Sequence, residues 1–111
     1  MATREVALVI FESVQALVVA GPLDVFAAAN DFLHEEDRYH CVLVARSTER
    51  LRSASGMWML ADLTFDQADR NFHTVLVAGG PHLPESAPDE TMTVWLRQRG
   101  SAGRPWPDPC T

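Results

Sequence analysis

One uninterrupted apolar run, Val6-Ala7-Leu8-Val9-Ile10-Phe11, and two strand-like segments rich in β-branched and apolar residues, Tyr39-His40-Cys41-Val42-Leu43-Val44-Ala45 and His73-Thr74-Val75-Leu76-Val77-Ala78, limit what this chain can become. An alternating run would make a strand with one wet face. A continuous one makes a strand buried on both faces, as in a parallel sheet covered by helices. Between the first two runs, Gly21-Pro22 is followed by Leu23, Phe26, Asn30 and Leu33 at helical spacing. This predicts a helix over 22–33 that begins at the proline, where the missing N–H costs nothing. Strand, helix, strand is a βαβ unit, which right-handed crossover turns into a parallel pair. The expected class is α/β with a mostly parallel sheet.

The remaining segments are less regular. Short apolar pairs surround Ser53-Ala54-Ser55-Gly56 between Leu51 and Phe65, so a small hairpin arm turning at Gly56 is expected. The third run stops at Gly79-Gly80-Pro81. A glycine turn at the carboxyl end of a parallel strand borders the crevice where open α/β sheets bind ligands, so Gly79 and Gly80 are the candidate ligand-binding residues, with tight-turn geometry the competing reason for glycine there. A second helix is expected from Asp89 to Arg99, with Met92, Trp95 and Leu96 on one face, and Gly100 stopping it. Residues 1–104 thus form the domain. The last seven, Pro105-Trp106-Pro107-Asp108-Pro109-Cys110-Thr111, are a proline-rich irregular tail in which a central strand is excluded. The sheet looks unfinished: either the tail is a harmless extension or the chain is a piece of a longer domain.

Composition narrows the function. The 111 residues, 47% hydrophobic and 22% charged, suit one globular domain or part of one. Nine basic residues, all arginine and scattered, against fifteen acidic ones give a formal charge of −6, so direct nucleic-acid binding by this chain is not expected. The start carries Glu5 where a leader would be positive, and the first apolar run is too short for a leader or a membrane span, which points to the cytoplasm. Cys41 and Cys110 are isolated and expected to be reduced. His34, His40, His73 and His82 have no ligand-like spacing, so neither a metal nor another cofactor is implied.

Taken together, Ala7-Leu8-Val9-Ile10-Phe11, Ala20-Gly21-Pro22-Leu23-Asp24-Val25-Phe26-Ala27-Ala28-Ala29-Asn30, Ser55-Gly56, Ala61-Asp62 and Val75-Leu76-Val77-Ala78-Gly79-Gly80 resemble the ThiJ/PfpI superfamily, the class I glutamine-amidotransferase-like fold. Gly-Pro-Leu-Asp-Val-Phe, the strand ending Val-Ala-Gly-Gly and Trp95-Leu96-Arg97 bring it nearest to the amidase-like N-terminal domain of AraC-type transcriptional regulators. The resemblance implies a flavodoxin-like three-layer fold, here incomplete. It also implies a cysteine on a strained strand-to-helix elbow, and Cys110-Thr111 falls in that register without the elbow glycine or anything after it. Cys110 is therefore the only catalytic candidate, and an ordinary tail thiol is the expectation. In the isocyanide hydratase relatives an acid stands four residues before the proline of Gly-Pro; here that position is Val18. Glu12 reads as a solvated charge and Asp24 as a first-turn cap of the helix.

The function implied is a ligand-sensing, non-catalytic domain fragment of an AraC-type regulator, with a small-molecule effector and a homodimer as partners. The alternative is a cysteine-dependent hydrolase or hydratase. A third reading is a bare interaction fragment with an open sheet edge.

Overall fold

The computed structural model describes residues 4–79 and 90–100. Its elements are β1 (Arg4–Val9), α1 (Ala16–Asn30), a single 3-10 turn at Glu35–Asp37, β2 (Tyr39–Ala45), β3 (Leu51–Arg52), β4 (Trp58–Met59), β5 (Leu63–Thr64), β6 (Thr74–Val77) and α2 (Glu90–Gly100). Four strands form one sheet in the order β5-β2-β1-β6. Every pairing in it is parallel, with Val6 opposite Cys41 and Thr74, and Val44 opposite Leu63. The α/β class and the small arm are both present: β3 and β4 pair antiparallel, Arg52 opposite Trp58, around Gly56 at a φ of +95°.

The central strand explains the apolar runs. Along β1 and the residue after it, Val6, Ala7, Leu8, Val9 and Ile10 are all essentially inaccessible. Period-two alternation deals them to two cores. Leu8 and Ile10 pack with Val14, Val19, Leu23, Leu43, Ala45, Leu76 and Ala78 under α1. Ala7 and Val9 pack with Val42, Val44, Val75, Phe65, Met92, Trp95 and Leu96 under α2. One helix on each face makes three layers, and each buried valine or leucine contributes about 1.5–3 kcal/mol. Trp95 anchors the second core, its indole Nε1–H donating to the Ala68 carbonyl at 3.0 Å.

Helix α1 differs from its expected bounds. It begins at Ala16, six residues before Pro22, and the proline lies inside it. Tertiary contacts outweigh the local preference: Val14 and Val19 are buried, and the Gln15 N–H donates to the Gly79 carbonyl at 2.9 Å, which docks the first turn onto the sheet. Asp24 is consequently mid-helix rather than in the first turn, and the capping role expected of it is not filled. The helix ends at Asn30 instead of Leu33, because the Asn30 side chain turns to β2: Nδ2 donates to the Tyr39 carbonyl at 2.8 Å and Oδ1 accepts from the Tyr39 N–H at 2.7 Å. Arg38 Nε then donates to the Asn30 carbonyl at 3.1 Å, satisfying an orphan group of the last turn. In β1 the ladder closes at Val9, although the Ile10 N–H still reaches the Val44 carbonyl at 2.9 Å.

Sequence reading assigned no strand at Leu63–Thr64. Two residues are too few for a periodic signal, and β5 exists because Asp62 Oδ2 accepts from the Leu43 N–H at 2.8 Å and aligns the chain beside β2.

Candidate functional site

The chain leaves β1 through α1 to reach β2 on one side, whereas β6 lies on the other side of β1. That reversal is a topological switch point, and in open parallel sheets the crevice outside the carboxyl ends of the two strands is where ligands bind. Here the crevice is bordered by Phe11 to Gln15 after β1, by the first turn of α1, and by Ala78 and Gly79 after β6. The arm is tied to the same loop: the Ser13 N–H donates to the Arg52 carbonyl at 2.9 Å, the Ala54 N–H to the Val14 carbonyl at 2.8 Å, and Glu12 Oε1 accepts from the Arg52 N–H at 3.3 Å.

Gly79 is placed at the crevice by its carbonyl bond to Gln15. Its conformation is not the left-handed one, Gly56 being the glycine with positive φ among the described residues. A methyl group built on Gly79 meets nothing within 4 Å. Neither turn geometry nor crowding therefore requires glycine there, and what remains is the open approach it leaves to the backbone. Gly80 and Cys110 both lie outside the described residues.

Val18 stands in the first turn of α1, three residues past the Gln15 that bonds Gly79, and its N–H donates to the Gln15 carbonyl at 3.1 Å. The helix turn against the crevice thus holds a half-exposed isopropyl group where the hydratase-like pattern has a carboxyl. Glu12 is exposed and bonded to the arm backbone. Its carboxylate serves as a tie between loop and arm.

Two features of this region escaped sequence reading. Ser13 adopts a φ of +73°, a left-handed conformation that costs a non-glycine residue about 1–2 kcal/mol and that clusters at functional turns. Ser53 is buried; its Oγ accepts from the Met57 N–H at 3.0 Å and meets Ser55 Oγ at 3.1 Å, which fixes the arm's turn. Nothing in the residue types marks the angle at Ser13, whereas Ser53 falls in the Ser53-Ala54-Ser55-Gly56 segment read as the turn of the arm, its burial and bonds alone being new.

The thiol of Cys41 is half-buried in β2, and burial pushes its pKa up, away from reactivity. No group of three or more His, Cys, Asp or Glu positioned to hold a metal occurs among the described residues. No helix among them is long and apolar enough to cross a membrane.

The fold is that of ThiJ/PfpI and DJ-1 superfamily proteins. A ThiJ/PfpI family protein from Pseudomonas syringae superposes with a TM-score of 0.76 at 19% identity over 95% of this chain and 40% of its own. An AraC family transcriptional regulator from Pseudomonas putida gives 0.73 at 17% identity over 91% of this chain and 52% of its own. Drosophila melanogaster DJ-1beta gives 0.73 at 15% identity over 92% and 52%. This chain therefore spans about half or less of these structures. No protein-family model matches the sequence, and no curated protein does.

Proposed function

We propose that this chain is a ligand-sensing, non-catalytic part of a ThiJ/PfpI-like domain of an AraC-type transcriptional regulator in the cytoplasm, with DNA binding supplied outside these 111 residues. The observation that carries the reading is Val18: the helix turn bonded to Gly79 presents an apolar side chain in place of a proton-transfer group, which suits holding a small molecule rather than converting it. The fold of an AraC family regulator agrees with it. So does a formal charge of −6, which opposes phosphate contacts by the chain itself. A homodimer is part of this reading, and Leu17 and Val25 of α1, 74% and 66% exposed, are the most exposed large apolar side chains of that helix available to a second copy.

The test is turnover. Isocyanides and small amides incubated with the chain should disappear no faster than in buffer, and Cys110→Ser should change nothing. Turnover that Cys110→Ser abolishes would overturn the reading and install the cysteine hydratase in its place.

A further inference from the structure

A second cleft lies away from the switch-point crevice, between α2 and the turn after β5, with a volume of about 770 Å³. Phe65, Val94 and Trp95 supply its apolar wall, and Asp66, Asp69 and Arg99 its charges. The size suits a small molecule, for which sites run to about 300–1,000 Å³. Arg99 is the unusual member. Its side chain is only 12% exposed, Nη1 donates to the Ala68 carbonyl at 3.1 Å, and Nη2 meets Oδ1 of Asp69 at 3.3 Å. Its Nε–H is buried and has no hydrogen-bond partner among the described residues. Buried donors are seldom left unmet, because the lost hydration is not recovered. Nε and Nη2 point along one edge of the planar guanidinium, the edge that takes a carboxylate through two parallel bonds. Asp69 touches that edge through one oxygen and is itself 82% exposed, so the edge is half used by a side chain free to swing into water.

We propose that this cleft binds a zwitterionic α-amino acid with an aliphatic side chain. The ligand carboxylate takes the Nε–Nη2 edge of Arg99, displacing Asp69. Asp69, released, joins Asp66 in accepting hydrogen bonds from the ligand ammonium. The aliphatic group rests on Val94, the exposed apolar residue of the wall, over the buried rings of Phe65 and Trp95. A plain carboxylic acid would strand Asp69 beside Asp66 with no cation between them, and a plain amine would leave Nε unmet. Both charges of the ligand are needed.

Calorimetric titration of the full chain tests this with three probes: L-leucine, 4-methylpentanoate, which lacks the ammonium, and isopentylamine, which lacks the carboxylate. L-Leucine should bind, and each analogue should bind at least about tenfold more weakly, a difference set by one lost charge-assisted contact. Asp69→Asn, at an 82% exposed side chain, should weaken L-leucine about tenfold and bind 4-methylpentanoate more tightly than the parent chain does, since the neutral amide neither repels Asp66 nor holds the Arg99 edge as a charge. Arg99→Lys, which keeps the charge but not the two-donor edge, should weaken both L-leucine and 4-methylpentanoate. Equal affinity for the three probes, or no heat from L-leucine at about 10 mM, a concentration that would show even a millimolar site, would overturn the proposal. Failure of ligands to bind at the switch-point crevice would not bear on this cleft, since the two sites share no residue.

Discussion

At Gly79 two explanations for one residue make opposite demands. If a tight turn required glycine, a side chain there would strain the fold; an unstrained φ and open space around the position say that it would not. Gly79→Ala should therefore change folding stability by less than about 0.5 kcal/mol in urea denaturation, while weakening any effector bound at the crevice. Ser13 makes the reverse case. Its left-handed backbone favours glycine, and Ser13→Gly should raise stability by about 0.5–1 kcal/mol, the relieved strain less the extra freedom glycine has when unfolded. Cys41 adds a pH dependence. Burial raises its folded value, so the folded chain holds this proton more tightly than the unfolded one. The resulting stabilisation is complete below the unfolded thiol pKa, about 8.5, and is lost as the pH rises through the folded value. Melting temperatures should fall across this alkaline range, and the fall should be shallower in Cys41→Ala.

Among the elements, the longer strands and α2 were legible, whereas the two-residue β5 and the bounds of α1 were not. A strand inside a helix-covered parallel sheet is mostly β-branched and apolar, so Tyr39 to Ala45, despite an exposed His40, announces β2 residue for residue and His73 to Ala78 brackets β6. The start of α1 is decided by contacts far away in sequence, those of Gln15 with Gly79 and of Val14 and Val19 with the core, which override a proline that locally reads as a first-turn residue. Its end is decided by Asn30 reaching Tyr39. The same distinction governs the site: Gly79 was visible because a strand ended there, whereas Ser13 matters through a backbone angle that no residue type dictates. Gly21 offers a test of how far tertiary contacts carry the helix. It lies inside α1 with open space where a Cβ would sit. Gly21→Ala should stabilise the chain by about 0.5–1 kcal/mol, read as a shift in the denaturation midpoint at unchanged slope. A loss of stability would mean that α1 needs this glycine beside Pro22 to bend.

For the whole molecule, the sheet order puts the loop after β1, the first turn of α1 and Gly79 at one end, and Asn30, Tyr39 and the acidic turn Glu35–Asp37 at the other. The central claim is that the first of these ends holds a small molecule without transforming it. Amide chemical-shift mapping with a ligand that raises the melting temperature tests this directly, because position and chemistry are read in one sample. Shifts are expected at Ser13, Gln15, Val18 and Gly79, none at Asn30 or Tyr39, with ligand signals unaltered after prolonged incubation. Shifts confined to the opposite end, or conversion of the ligand to product in the tube, would contradict it.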